Sequence, residues 1–155
     1  MKMRVGILVY LLVTSILVQA NDTIPKGTWE VVRVFVEKNT DGKTEKKSYK
    51  TVSEIKSHIP CPQVWIVNEE NIRLRYPDGI EDTAENKLEE GQLTVYAYDG
   101  CMFLYQCSIN DGNLVLTVTH NYINISPAGQ VEEIVEKRVI TLKKRKTNEE
   151  THETE

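Results

Sequence analysis

Residues 93–122 read LTVYAYDGCMFLYQCSINDGNLVLTVTHNY. Apolar and polar side chains alternate along much of this stretch, and Asp-Gly pairs interrupt it at positions 99–100 and 111–112. Alternation with a period of two is typical of a strand with one buried face, and Asp-Gly is a strong hairpin signal. The stretch therefore predicts three antiparallel strands joined by two tight turns.

The rest of the chain continues this pattern of strands and turns. The strands predicted over the whole chain cover residues 28–37, 63–68, 72–76, 93–98, 101–109, 114–122 and 134–144. A polar loop is predicted over residues 39–47. Residues 51–54 match a capping box ahead of apolar positions with helical spacing, which predicts a short helix over residues 52–58. Residues 80–90 fit either a helix or the outer face of a strand, and we favour an irregular edge strand.

About eight consecutive strands with short connections predict an all-β fold. The arrangement that this order favours is an up-and-down antiparallel barrel with one short helix after the first strand. A β-sandwich is the alternative, because the sequence indicates the order of the strands better than the closure of the sheet. The interior of an eight-stranded barrel holds either packed side chains or one small ligand.

The N-terminal residues 1–20 have the composition of a secretory signal peptide. Lys2 and Arg4 precede an apolar run over residues 5–18, and small residues surround a cleavage point after Ala20. The run is shorter than the roughly 20 residues of a membrane-spanning helix. An uncleaved N-terminal anchor is the alternative.

The expected mature protein is secreted or periplasmic. It comprises one domain over residues 21–145 and a disordered polar tail over residues 146–155. No cysteine precedes Cys61, so no residue near the cleavage point could carry a lipid. We therefore expect no membrane span in the mature form.

The charge of the mature chain argues against nucleic acid as a partner. Removing Lys2 and Arg4 with the signal peptide leaves 17 of the 19 basic residues against 23 acidic residues, a formal net charge of −6. The chain has no basic stripe that could attract a phosphate backbone.

Three cysteines in an exported protein predict one disulfide and one free thiol. Cys101 and Cys107 lie six residues apart in one predicted strand, or roughly 20 Å, which is too far for a bond. Cys61 is therefore one partner. We favour Cys61 with Cys101, because both begin strands at the same rim of the barrel. A helix over residues 80–90 would reverse this parity and favour Cys107.

A short motif at the start of the first strand resembles the lipocalin signature. Gly27-Thr28-Trp29 has the Gly-x-Trp form, and it follows the signal peptide and precedes about seven further strands. Residues 25–145 thus resemble the small secreted lipocalin-like domains of bacteria, in the calycin superfamily. The second lipocalin signature, a Thr-Asp-Tyr-like turn, is absent, and Asn110-Asp111-Gly112 occupies a comparable turn.

The resemblance implies roles for the two matched residues. Gly27 would let the chain enter the base of the barrel, and Trp29 would plug that closed end. A cationic side chain from near the last strand would pack over the indole of Trp29, and Arg138 and Arg145 are the candidates.

Alternation also predicts the side chains that line the barrel. The inward set is Ile72, Leu74, Tyr76, Leu93, Val95, Ala97, Phe103, Tyr105, Leu116 and Val118. The residues expected to bind a ligand are Leu74, Tyr76, Val95, Phe103, Tyr105, Leu116 and Val118. An apolar lining with a few phenols suits a small hydrophobic ligand. We therefore expect a non-enzymatic carrier or sensor of such a molecule. The alternative is a filled barrel that acts through its surface as a protein-interaction or inhibitor module.

The sequence contains no recognised catalytic, phosphate-binding or metal-binding motif. His58 and Cys61 are too few for a zinc site, so neither a metal nor a cofactor is expected. His120 shares the inward parity of its strand and is the only candidate for an acid–base group inside the barrel. Sequons at Asn21 and Asn124 would be used only in a eukaryotic secretory pathway.

Overall fold

The computed structural model describes residues 22–97 and 99–146. Within these residues it has nine strands and one helix: β1 (Gly27–Thr40), β2 (Lys43–Tyr49), α1 (Val52–His58), β3 (Val64–Val67), β4 (Asn71–Arg75), β5 (Glu81–Glu85), β6 (Gln92–Tyr96), β7 (Met102–Asn110), β8 (Asn113–Ile125) and β9 (Val131–Lys144). The predicted signal peptide and residues 147–155 of the predicted tail lie outside the described residues.

Eight of the strands form a nearly closed antiparallel barrel. Their order around the sheet is β5-β4-β3-β1-β9-β8-β7-β6, and β2 pairs with β1 beside this path. The terminal strands β5 and β6 approach each other, so the sheet curls almost into a closed surface. This confirms the all-β up-and-down barrel over the sandwich alternative, and the architecture is consistent with a calycin-like fold.

Most local predictions are confirmed. Thr51 caps α1, since its hydroxyl accepts from the Glu54 backbone and the Glu54 carboxylate accepts from the Thr51 backbone. Ile55 anchors this helix in the core. Residues 80–90 contain the edge strand β5 rather than a helix.

The predicted loop over residues 39–47 is wrong in part, because β2 occupies residues 43–49 and forms a hairpin with β1. Asp41 and Gly42, both with positive φ, make its tight turn. The β2 sequence KTEKKSY lacks an apolar face, because six of its seven residues are exposed. A strand exposed on both faces leaves no alternation in the sequence.

Trp29 lies near the start of β1, at the end of the barrel that we call the closed end. Its ring is buried and its indole Nε1 donates to the Pro25 carbonyl at 2.9 Å. The ammonium of Lys144 lies 5.8 Å from the centre of the ring. The cation over Trp29 is therefore Lys144 and not Arg138 or Arg145, because Arg138 pairs with Glu136 and Arg145 pairs with Glu30.

The core fills the barrel from the closed end to beyond its middle. Alternate residues of each barrel strand point inward, as the buried Leu114, Leu116 and Val118 of β8 illustrate. Trp65 of β3 packs edge-on against Tyr105 of β7, with 5.4 Å between ring centres, and so links opposite walls.

Candidate functional site

A cavity of about 730 Å³ lies at the open end of the barrel, opposite Trp29. Its walls come from the segment after α1, the turns after β4 and β6, the start of β7, the distal half of β8 and the middle of β9. The apolar part of its lining comprises Pro60, Tyr76, Ile80, Ala97, Met102 and Phe103. The polar part comprises Asp78, Asp99, Thr119, His120, Asn121, Tyr122 and Arg138.

The structure divides the seven predicted ligand-binding residues into two groups. Tyr76 follows the last residue of β4, and the other six occupy inward positions of their strands. Five are buried in the packed core: Leu74, Val95, Tyr105, Leu116 and Val118. Tyr76 and Phe103 line the cavity. The interior is thus a filled lower part beneath an open upper part.

Alternation within strands did not identify several of the lining residues. Asp78, Ile80 and Asp99 lie in or next to turns, where a period of two no longer applies. Asn121 and Met102 belong to outward positions, yet they contact the cavity. Their placement at the ends of predicted strands is the signal that could have suggested them.

Arg138, in the wall of the cavity, forms a largely buried ion pair with Glu136. Arg138 Nε donates to Glu136 Oε1 at 2.5 Å, and the Tyr122 hydroxyl donates to Glu136 Oε2 at 3.2 Å. Glu136 thereby compensates the charge of Arg138. The same pair lines a second cavity, of about 170 Å³, between the β1–β2 hairpin and α1, so it separates the two spaces.

His120 stands edge-on to Phe103, with 5.5 Å between the ring centres. Burial lowers the pKa of His120, the nearby Arg138 lowers it further, and Glu136 acts in the opposite direction. The imidazole is therefore mainly neutral at neutral pH, and it can both donate and accept a hydrogen bond.

The phenol and thiol groups near the floor of the cavity are also neutral. Burial is the main cause that raises the pKa of Tyr76, whose hydroxyl also bonds to Asp82, and it raises that of Tyr105 in the same way. Burial raises the pKa of Cys61 to about 11. Gln63 Nε2 donates to the sulfur of Cys61 at 3.4 Å.

The predicted Cys61–Cys101 disulfide is not formed in the structure. Cys61, Cys101 and Cys107 are free thiols, and they differ in exposure: Cys61 is buried, Cys107 is half-buried and Cys101 is exposed. The Cys101 thiol instead bonds to Asp99 in the turn before β7, which raises its pKa. The pairing is therefore unconfirmed.

Comparisons with known proteins add no family assignment. No protein-family model, curated protein or solved structure matches this chain significantly. In residues 22–97 and 99–146 no group of three or more His, Cys, Asp or Glu side chains could hold a metal ion. Within the same residues, no helix is long and apolar enough to cross a bilayer.

Proposed function

We propose that this chain is an exported, lipocalin-like, non-enzymatic carrier or sensor that binds one small, mainly apolar molecule at the open end of its barrel. The observation that supports this function best is the cavity of about 730 Å³. Ligand sites in proteins are commonly concave spaces of about 300–1,000 Å³ with a mostly apolar lining and a few polar groups.

The lining combines an apolar part with a polar part of similar size, so it suits a ligand whose apolar body also carries polar atoms. Tyr76, Phe103 and Met102 offer ring faces and a flexible thioether, which adapt to an irregular apolar shape. Neutral His120 and the Asn121 amide are suited to orient the ligand by hydrogen bonds. Since Glu136 already compensates Arg138, the cavity does not require an anionic ligand.

Export of the protein is part of the proposal. It rests on the signal-peptide pattern of residues 1–20. The intact mass of the protein from its native source should correspond to a chain that begins at Asn21. A soluble species that begins at Met1 would contradict this part.

A titration with the neutral apolar dye Nile red tests the cavity. We expect saturable fluorescence enhancement, and we expect Ala97→Trp to abolish it, because the indole would occupy the space beside Ala97. Leu104→Trp is the matched control, since Leu104 lies on the outer face of β7. Equal losses in both variants, or none in Ala97→Trp, would place the dye elsewhere.

Two further measurements complete the test. Circular dichroism and the thermal midpoint should show that Ala97→Trp folds. In the dye titration, Phe103→Ala should change the affinity more than Leu104→Ala does. Native mass spectrometry of protein purified from its source should detect a co-purifying small molecule. An empty protein that also fails to bind Nile red would favour the surface-interaction alternative.

A further inference from the structure

The strands β7 and β8 separate at the open end of the barrel. Their ladder pairs residues 106–110 with residues 113–117 and goes no further. Among the described residues, the start of β7 pairs only with β6, and residues 118–125 of β8 pair only with β9. One edge of β8 is thus open along its distal half.

Antiparallel geometry shows which backbone groups face this open edge. The amide of Cys107 donates to the Gly91 carbonyl at 2.8 Å, on the β6 side, so the neighbouring Gln106 points its backbone groups toward β8. Its partner Thr117 points toward β7 in turn. Every second residue repeats this direction, so the N–H and C=O groups of Thr119, Asn121 and Ile123 point to the open edge.

The β8–β9 turn supports the same assignment independently. The amide of Ser126 donates to the Gln130 carbonyl at 2.9 Å. The even-numbered residues of β8 therefore bond toward β9, and the odd-numbered residues bond away from it.

The cavity reaches this edge. Thr119, His120, Asn121 and Tyr122 all line it, although consecutive residues of a strand point to opposite faces of the sheet. A space that contacts four residues in succession lies along the edge of the strand. The cavity therefore opens sideways between β7 and β8.

The open edge of β8 lacks the protection that other edges of this protein have. The free edge strand β2 carries Lys43, Glu45, Lys46 and Lys47. The terminal strand β5 carries Glu81, Asp82 and Glu85. Residues 118–125 contain no charged residue and no proline. Charges and prolines are the usual means of preventing an edge from pairing with another chain.

We propose that this edge, residues 118–125 of β8, binds an extended peptide segment of a partner protein, which adds to the sheet as a further strand. Backbone hydrogen bonds to Thr119, Asn121 and Ile123 would hold the segment, as in other cases of strand addition. This interaction goes beyond the binding of a small ligand, because it uses the backbone of β8 rather than the cavity alone.

Charges at the rim indicate the composition of the segment. Asp78 and Asp99 line the cavity, and neither forms an ion pair with another described residue. A Lys or Arg side chain on the inward face of the segment would complement them. Exposed Leu104 and Ile123 flank the gap on the outer face and favour apolar side chains there.

A second copy of this chain fits the edge less well. Its own residues 118–125 contain no Lys or Arg to complement the two carboxylates. The partner is therefore a basic, β-forming segment, with apolar residues alternating with cationic ones.

The test uses a fluorescein-labelled synthetic peptide of about nine residues that alternates Val with Lys and Thr, which is long enough to span the edge. Its control has the same side chains but carries N-methyl groups on two adjacent central residues. Adjacent residues face opposite edges of a strand, so this change blocks both edges while it preserves the charge. Fluorescence anisotropy measures the affinity of each peptide for the full-length protein.

Two protein variants assign the binding to the edge. Asn121→Pro removes an N–H that points to the open edge and leaves the bonds to β9 intact, so the affinity should fall by about tenfold or more. Asn121→Thr keeps this N–H and should retain the affinity. Ile123→Lys provides a second test, since it places a charge on the edge. Circular dichroism and the thermal midpoint of Asn121→Pro, compared with those of Asn121→Thr, show whether the fold is retained.

The outcomes are distinct from those for the small ligand. The proposal is supported if the unmethylated peptide binds saturably, the methylated peptide does not bind, and Asn121→Pro weakens the binding. Equal binding of the methylated peptide, no loss in Asn121→Pro, or no binding at any soluble peptide concentration overturns it. It is also overturned if the protein alone sediments as a dimer that Asn121→Pro dissociates, because a second copy would then occupy the edge.

Discussion

Gly27 and Lys144 share the space beside the buried indole of Trp29. Gly27 has a φ of +141°, and a Cβ atom on it would overlap Cε of Lys144. The absence of a side chain at position 27 therefore lets the stem of Lys144 cross the chain and bring its ammonium over the ring. Gly27 of the Gly-x-Trp motif therefore affects the packing of Trp29 indirectly, because it leaves room for the Lys144 side chain.

Gly27→Ala should destabilise the protein more than Gly100→Ala. Both glycines have positive φ, and nothing lies near Gly100, so Gly100→Ala measures the backbone strain alone, about 1–2 kcal/mol. Position 27 has a φ of +141°, which is more strained for alanine than the +83° of Gly100, and Gly27→Ala also displaces the flexible Lys144 side chain from the indole. Urea unfolding measures both, and Lys144→Ala should recover part of the loss in the Gly27→Ala background. Equal destabilisation by the two glycine substitutions would contradict this packing.

Cys61 should make the reduced protein sensitive to alkali. Its pKa rises from 9.0 to about 11 because the thiolate would be buried. A group whose pKa is higher in the folded protein than in the unfolded chain stabilises the fold at pH values below its unfolded-state pKa. This contribution is lost as the pH rises from the unfolded-state pKa through the folded-state pKa. The free energy of unfolding should therefore fall between about pH 9 and 11.

Cys61→Ala isolates this contribution. The variant should show a smaller fall in the free energy of unfolding over the same pH range, whatever its stability at neutral pH. Cys107 and the buried tyrosines shift in the same direction, so they add to the fall, and Cys107, with a pKa of about 12 in the folded protein, contributes from about pH 9 to beyond pH 11. An unchanged slope in the variant would exclude Cys61 as a source.

Strand β8 has two different environments along its length. Its first five residues lie between β7 and β9, whereas residues 118–125 have β9 as their only neighbouring strand within the described part of the chain. The side chains do not reveal this change, because inward positions alternate regularly from Leu114 to Val118 and on to His120.

Hydrogen exchange should show the change directly. The amides of Val118, His120 and Tyr122 bond to β9 and should exchange slowly, whereas those of Thr119, Asn121 and Ile123 face the open edge and should exchange fast. Residue-resolved NMR measures the two sets within one strand. Uniform protection along the strand would mean that the edge is covered in the free protein.

The sequence predicts the barrel well because each barrel strand has one buried face. Apolar residues therefore recur at every second position of these strands. β2 was missed because it buries neither face. The cavity was only partly predicted, since alternation gives the direction of a side chain and not its depth. Alternation predicts the same direction for Leu74 in β4 and for Tyr76 just after it, yet Leu74 lies in the core and Tyr76 lines the cavity. The separation of β7 from β8 depends on backbone pairing, which side-chain patterns do not record.

The barrel is filled at one end and open at the other, and His120 lies in the wall of the cavity at the open end. His120 has a pKa below 6.5, because burial and Arg138 disfavour its charged form, and Glu136 only partly opposes them. Unfolding restores the usual pKa of His120, so the unfolded chain binds a proton at this imidazole more readily than the folded protein does. The free energy of unfolding should therefore fall as the pH decreases below 6.5.

The same protonation should weaken ligand binding. It would place a charge beside Phe103 in a space that otherwise favours apolar groups, and an apolar ligand would then have to displace the water around it. Nile red affinity should therefore decrease as the pH falls below 6.5, and His120→Asn should reduce this dependence. His58→Asn is the matched control, because His58 stacks on Tyr49 beside α1 and does not line the larger cavity. If the His58 variant loses the dependence and the His120 variant keeps it, the dye does not bind at the open end.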